Sequence, residues 1–264
     1  MSKISISDSQ KLGVSLLQEK GKTKNEAITN PKITIAKVGF WSALLTTISS
    51  IAYGVAVIVL MVSSLSTRSA SHDQGWAGIE TFLATFQPIQ LLPVMPSLLL
   101  APAFTALMVT VHSYAAEDKK IWSRLGLAFT LIYATMAAMN YMVQLIPVWR
   151  SISNGEADGL AMFVLGNPHS MFWGLAYAYI FMNLAMLLTA PVFEGTPLER
   201  RVRLLFILNG VSGVFTIVWI FFDSPPFYLL GSLVLWCPVF TAATASTTLL
   251  FLRVARAGIK PWKI

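Results

Sequence analysis

The sequence predicts an all-α membrane protein built as a bundle of six transmembrane helices. The chain has 264 residues, of which 55% are hydrophobic and only 12% are charged, whereas a soluble domain carries about a quarter charged residues. The mean hydropathy is +0.66, and apolar runs recur at the length of about 20 residues that crosses a ~30 Å hydrocarbon layer. These three observations argue against a soluble enzyme, a nucleic-acid-binding protein and a disordered scaffold.

Six apolar runs are predicted to form the transmembrane helices. They cover residues 38–64, 88–114, 122–148, 168–193, 201–222 and 227–252. A polar, lysine-rich tail (residues 1–37) precedes the first run, and a short basic tail (253–264) follows the last one. The first run is longer than the ~7–15 apolar residues of a cleavable signal peptide, so we expect it to remain as a span.

The positive charges fall on one side of this topology. If the N-terminus is cytoplasmic, every Lys and Arg except Arg68 and Arg150 lies in a cytoplasmic segment, as the positive-inside rule requires. We therefore expect both termini to be cytoplasmic. Attraction to anionic lipid head groups, at about 1 kcal/mol for each Lys or Arg near the surface, explains the net charge of +7. Membrane lipids are thus an expected partner, and nucleic acid is not.

The first two spans differ in regularity. In the first span, Thr46, Ser50 and Gly54 recur at every fourth position and form a row of small residues suited to close contact with another helix. The second span contains four prolines. Pro88 fits its first turn, whereas the other three are expected to kink or locally unwind the helix: Pro93, Pro96 and Pro102.

Two segments between the spans are expected to lie at the outer membrane surface. Residues 74–87 place five apolar side chains along one helical stripe, namely Trp76, Ile79, Phe82, Leu83 and Phe86. Residues 158–166 are a weaker second example. We interpret both segments as lid-like pieces resting on lipid head groups. The alternative is a gate over an outward-facing cavity.

Local motifs predict where the later helices begin. Thr196 and Glu199 have the spacing of a capping box, with Pro197 at the first helical position of the fifth span. Asn167 is predicted to be the N-cap of the fourth span. The Asp-Ser-Pro-Pro sequence at residues 223–226 predicts a short turn, which makes the fifth and sixth spans antiparallel neighbours.

The candidate binding residues are polar side chains within the spans. No Asp, Glu, Lys or Arg lies near the middle of any span, which argues against proton-coupled pumps and ion-coupled carriers. Amides and a tyrosine take that place on the third to fifth spans, and an aspartate lies at the outer end of the fifth. The six candidates are Asn140, Gln144, Tyr177, Asn183, Asn209 and Asp223.

These polar residues have two interpretations. They could simply hydrogen-bond neighbouring helices, at ~0.6 kcal/mol each. They could instead orient a ligand in a largely apolar pocket with a few convergent polar groups. No catalytic motif, metal site or cofactor site is recognised, and the single cysteine, Cys237, excludes an internal disulfide.

One stretch of the chain resembles a known group of proteins. Between Asn167 and Gly210 the sequence contains Asn-Pro-His-Ser-Met-Phe-Trp, then Ala-Pro-Val-Phe, then Leu-Glu-Arg-Arg, and finally Asn-Gly. This stretch resembles conserved six-helix membrane proteins of bacteria to which no activity is assigned. The resemblance implies a six-span topology in a bacterial cytoplasmic membrane, and it carries over no functional residue.

The sequence therefore favours a non-enzymatic membrane protein that binds an apolar or lipid-like small molecule without a cofactor. We expect the ligand between the third, fourth and fifth spans, with the four amides orienting it. An uncoupled carrier or channel is one alternative, and an accessory subunit bound to a partner membrane protein is another. A membrane enzyme acting on lipids is the least favoured class.

Overall fold

The computed structural model describes residues 31–67, 76–222 and 236–257, and this part of the chain contains helices and no strands. Its α-helices are, in chain order, α1 (Pro31–Thr67), α2 (Ile79–Thr85), α3 (Val94–Tyr114), α4 (Lys120–Val143), α5 (Trp149–Asn154), α6 (Met171–Ala176), α7 (Ala178–Thr189), α8 (Pro197–Phe222) and α9 (Cys237–Ala257). The predicted all-α fold is thus confirmed.

Five helical segments of the described chain are long and apolar enough to cross a membrane. They are Ile33–Leu60, Pro88–Tyr114, Glu117–Asn154, Met171–Val192 and Cys237–Ala257. These segments support a multi-pass membrane protein. The helix α8 occupies the place of the predicted fifth span but is not one of the five, so the sixth crossing and the side on which the termini lie stay predictions.

The six long helices of the described chain form a closed ring. Each of α1, α3, α4, α7, α8 and α9 packs mainly against the long helices before and after it in the chain, and α9 packs against α1. At that closing contact the Oγ of Ser50 and the Oγ1 of Thr241 are 2.7 Å apart. A Cβ atom at Gly54 would lie 3.0 Å from the Sγ of Cys237. The row of small residues on α1 therefore contacts another helix closely, as predicted.

Five aromatic rings fill the interior of this helical ring. Each ring contacts two others, with centroids 5.0–5.9 Å apart, in the circular order Phe104, Tyr133, Tyr179, Trp236 and Phe240. These side chains come from α3, α4, α7, α9 and the residue just before α9. Contacts at this distance are typical of favourable aromatic pairs. The cluster, called the aromatic plug below, ties four of the long helices together.

The prolines of the second span act less uniformly than predicted. Pro88 begins a short 3₁₀ helix (Pro88–Leu91), and the chain turns at Leu92 and Pro93 before α3 starts, so the predicted unwinding occurs there. Pro96 falls in the first turn of α3, where its missing N–H has no intrahelical partner to lose. Pro102 lies inside α3, which stays helical on both sides of it. The predicted unwinding is thus confined to the start of the span, and a kink at Pro102 stays a prediction.

Two predicted helix starts have different outcomes. At α8 the Oγ1 of Thr196 accepts a hydrogen bond from the Glu199 N–H, and the Thr196 N–H donates to Glu199 Oε2, which confirms the capping box. The fourth span begins at Met171 with Ser170 as its N-cap, so the prediction of Asn167 was wrong. The Asn167 side chain instead accepts from the His169 N–H at 3.0 Å, a local turn that competes with helix capping.

The helix boundaries also differ from the predicted spans. The helix α4 continues through a π-helical turn (Gln144–Val148) into α5, and Pro147, which has no N–H to donate, lies within that turn. The last helix extends to Ala257, five residues beyond the predicted end. The turn predicted at residues 223–226 and the predicted start of the sixth span at 227 lie outside the described residues.

Candidate functional site

Two of the candidate amides attach a connecting segment to the bundle. Asn140 and Gln144 are buried at the end of α4 and in the π-helical turn. The Asn140 Nδ2 donates to the carbonyl oxygen of Phe172 at 3.1 Å, and the Gln144 Nε2 donates to that of Phe163 at 2.7 Å. Both amides therefore hold backbone carbonyls of the segment that leads into α6.

A second pair of amides joins α7 to α8. The Asn209 Nδ2 donates to Asn183 Oδ1 at 2.9 Å and approaches the sulfur of Met186 at 3.1 Å. Both asparagines are buried. A Cβ atom at Gly213 would lie 3.1 Å from the Asn183 side chain, so the two helices are in close contact here. The pair is an interhelical hydrogen bond in an apolar setting.

The other two candidates are Tyr177 and Asp223. Tyr177 lies half-buried at the break between α6 and α7 and has polar or ring contacts there. Asp223 lies outside the described residues. The structure thus brings together Asn183 and Asn209, and separately anchors a connecting segment through Asn140 and Gln144.

The segments predicted to rest on lipid pack against each other. The stripe of residues 76–83 contacts Val148 on the π-helical turn, and it also contacts Leu160 and Val164 of the second segment. A Cβ atom at Gly166 would lie 2.6 Å from the ring of Phe82, so the two segments touch closely. We call residues 76–86 and 155–172 the cap. The apolar stripe is thus half-buried against protein, and its contact with lipid head groups stays a prediction.

The end of the bundle opposite the cap carries most of the described basic residues. We call it the basic end. It comprises the N-terminal ends of α1, α4 and α8 and the C-terminal ends of α3 and α9. An ion pair closes part of this end, with the Lys119 Nζ 2.9 Å from Glu194 Oε1. Other basic side chains are Lys37, Lys120, Arg124, Arg200, Arg201, Arg203, Arg253 and Arg256.

A cavity of about 310 Å³ lies at the basic end. Its walls are mostly apolar side chains from α1, α9 and the turn after α7, including Ile35, Ala36, Val192, Phe251 and Val254. Its polar lining includes Ser113, Tyr114 and Glu199. The sequence did not predict a binding role for any of these residues, because the contact between Tyr114 and Glu199 joins positions 85 residues apart.

Glu199 is the charged group of this cavity. It is 8% exposed, and its two carboxylate oxygens accept hydrogen bonds from the Tyr114 hydroxyl and from the Thr196 N–H. Two basic side chains of the same end, Lys119 and Arg203, contact another acid, since both lie within 4 Å of Glu194. No described Lys, Arg or His forms an ion pair with Glu199.

A larger groove, of about 590 Å³, lies on the outside of the ring between α1 and α3. Its surface is almost entirely apolar, with exposed Trp41, Leu45 and Leu99 along it and Lys37 at one end. In a membrane such a groove faces acyl chains, and a lysine at its end lies at head-group depth.

Among the described residues, no three His, Cys, Asp or Glu side chains lie close enough together to bind a metal ion. Comparisons with protein-family models, with curated proteins and with solved structures find no match to this chain.

Proposed function

We propose that this chain is a non-enzymatic membrane protein that holds an apolar or lipid-like small molecule within its helix bundle. The observation that carries this proposal is the cavity at the basic end. Small-molecule sites are mostly apolar concave spaces of about 300–1,000 Å³ with a few polar groups that fix orientation. The cavity, at about 310 Å³, has apolar walls and two hydrogen-bonded polar groups, Tyr114 and Glu199.

The amide face predicted from the sequence is the alternative location for the ligand. Two buried carbonyl oxygens, Gln144 Oε1 and Asn209 Oδ1, accept no hydrogen bond from the residues that the structure describes. A buried acceptor without a donor costs about 1–3 kcal/mol, which favours a ligand that supplies one. The amide nitrogens are already used within the protein, so this location has less support than the cavity.

We also propose that the protein has six spans and that both termini lie in the cytoplasm of a bacterium, at its cytoplasmic membrane. The clustering of described Lys and Arg residues at one end of the helical ring supports this orientation, because such residues favour the cytoplasmic side. The cavity then opens toward the inner leaflet and the cap lies on the outside.

Native mass spectrometry of the protein in a mild detergent tests ligand binding. We expect a reproducible small-molecule adduct on the wild-type protein. Val254→Phe, which fills the cavity, should remove most of that adduct. The matched control is Ala257→Phe, which adds the same ring at an exposed position of α9 and should leave the adduct intact.

Three other outcomes have definite meanings. Loss of the adduct only in a combined Asn140→Leu and Gln144→Leu protein would move the ligand to the amide face. A bare wild-type monomer, even after incubation with lipid extract, would contradict ligand binding. A fixed complex with another polypeptide would favour the accessory-subunit alternative.

A further inference from the structure

We infer that the molecule held at the basic end carries a protonated amine, and that this amine binds the Glu199 carboxylate. The inference rests on the proposed binding function and adds the chemical class of the ligand. Its basis is the combination of a cavity, a buried carboxylate on the cavity wall and the absence of an ion pair between that carboxylate and any described Lys, Arg or His.

The burial of Glu199 requires compensation. A carboxylate removed from water is costly unless it is paired and hydrogen-bonded. The Tyr114 hydroxyl and the Thr196 N–H each supply one hydrogen bond, and the N-terminus of α8 adds a favourable dipole. A carboxylate has about four lone-pair sites, so two further donors fit. An ammonium group supplies such donors together with the missing positive charge.

The ion pairs on the turn before α8 involve a different acid. Lys119 and Arg203 both contact Glu194, which is exposed on the turn before α8. Glu194 therefore forms ion pairs with two cations, whereas Glu199 lines the cavity and forms no ion pair with a described residue. Glu194 thus belongs to ion pairs at the protein surface, whereas Glu199 is a hydrogen-bond acceptor in the cavity wall.

The cavity walls indicate what accompanies the amine. Phe251, Val254 and Val192 present apolar surface beside Glu199, and burying apolar ligand surface there contributes about 25 cal/mol per Å². A small hydrated cation would gain nothing from these walls. The ligand is therefore an amphiphile with an amine, either a membrane lipid whose head group ends in an amine or a free alkylamine.

Matched pairs of ligands test the inference on the full-length wild-type protein in a mild detergent. One pair is decylamine and decanol, and the other is lysophosphatidylethanolamine and lysophosphatidylglycerol with the same acyl chain. Native mass spectrometry should detect binding of each amine about 10- to 100-fold tighter than its partner without one, as expected for hydrogen bonds to a charged group. Tighter binding of lysophosphatidylethanolamine than of decylamine would identify the ligand as a membrane lipid. Tighter binding of decylamine would identify it as a free alkylamine.

A charge-neutral variant then localises the effect. Glu199→Gln keeps the capping box, since glutamine serves at this position, and it should reduce amine binding to the level of the matched partner. Glu194→Gln, which removes an exposed carboxylate on the same turn, should leave the amine preference unchanged. The melting temperature of Glu199→Gln is measured as well. If it equals that of the wild type, which binds decylamine, the loss of binding is not caused by misfolding.

The outcomes separate this inference from the proposed function. Equal binding of amine and non-amine ligands, blocked by Val254→Phe and unaffected by Glu199→Gln, would overturn the inference and keep the binding function. Binding that survives Val254→Phe for every ligand would exclude the cavity as the site and overturn the inference, whereas no binding of any ligand would overturn the binding function itself. An amine preference lost equally in Glu194→Gln would overturn the role of Glu199.

Discussion

Gly126 sets the distance between α4 and α7. A Cβ atom at this position would lie 1.9 Å from the Oγ1 of Thr189 and 2.9 Å from the carbonyl oxygen of Ala185. Thr189 cannot simply rotate away at no cost, because its hydroxyl donates to that same carbonyl at 2.8 Å. The glycine is therefore required for close helix contact, in the way that small residues act in membrane bundles.

Gly126→Ala is expected to lower the free energy of unfolding by about 1–3 kcal/mol, the usual cost of overpacking. Thermal unfolding in detergent would measure the loss. Gly174→Ala is the matched control, since no atom lies within 4 Å of a Cβ atom there. It should be neutral or stabilise the protein, because alanine favours helix over glycine by about 1 kcal/mol. Equal effects of the two substitutions would contradict the steric explanation.

The sequence allowed the burial of polar residues to be predicted, but not their partners. Asn140, Gln144, Asn183 and Asn209 are all buried, as their helical spacing within apolar spans indicated. Which group each amide meets depends on the rotation of one helix against another, and this is set by packing across the whole interface. Glu199 could be identified as a capping residue from four consecutive positions, whereas its contact with Tyr114 requires the tertiary structure.

At the scale of elements, the cap is held by side-chain donors that reach its backbone. Gln144 binds the carbonyl of Phe163, Asn140 binds that of Phe172, and the Trp173 Nε1 donates to the carbonyl of Leu165 at 2.9 Å. An irregular segment near a membrane needs such partners, because unsatisfied carbonyls are costly there. The amides thus order a connection that has only short helical turns of its own.

Replacing both amide anchors should loosen the cap without unfolding the bundle. In the combined Asn140→Leu and Gln144→Leu protein, we expect faster amide hydrogen exchange across residues 160–170, while α1 and α9 keep their protection. Hydrogen exchange with mass spectrometry measures this difference directly. Met139→Leu, at an exposed position one residue before Asn140, serves as the control.

Unchanged exchange in the cap would contradict its anchoring by these amides. If the combined variant were more stable and kept its small-molecule adduct, the amide face would serve only to join helices and segments. Loss of the adduct together with loosening of the cap would instead connect the cap to ligand retention.

Helix starts that depend on local chemistry were predictable when one local arrangement was clearly favoured. The capping box at Thr196 satisfies two backbone donors reciprocally, and it is confirmed. The Asn167 side chain could either cap a helix or form a local turn. The turn is found, because it also lets the Asn167 Nδ2 donate to the carbonyl of Ala161 at 2.8 Å. The sequence alone does not show that the chain brings the Ala161 carbonyl within reach of Asn167.

At the scale of the whole molecule, the aromatic plug bears on the carrier or channel alternative. Its five rings close on one another across the interior of the helical ring. An open aqueous pore along this axis would require several of these contacts to separate. The cavity at the basic end lies on one side of the plug, which favours binding from one side of the membrane over passage through it.

Cysteine labelling tests the proposed orientation. In a protein whose own cysteine is replaced, Cys237→Ser, we expect a membrane-impermeant maleimide to label Asn154→Cys in intact cells. Asp118→Cys should react only after the cells are permeabilised. Both positions are exposed, Asn154 at the end with the cap and Asp118 at the basic end. The cysteine-free protein controls for background, and the opposite labelling pattern would contradict the proposal.

The order of the helices in the ring has a consequence for biosynthesis. Neighbours in the ring are neighbours in the chain except where α9 meets α1, and the hydrogen bond between Ser50 and Thr241 spans 191 residues. We therefore expect the small-residue face of α1 to lack its partner helix in the membrane until α9 has been synthesised and inserted. Assembly proceeds pair by pair and ends with one late closure, so a chain that stalls before α9 presents an unsatisfied edge to the quality-control proteases of the membrane.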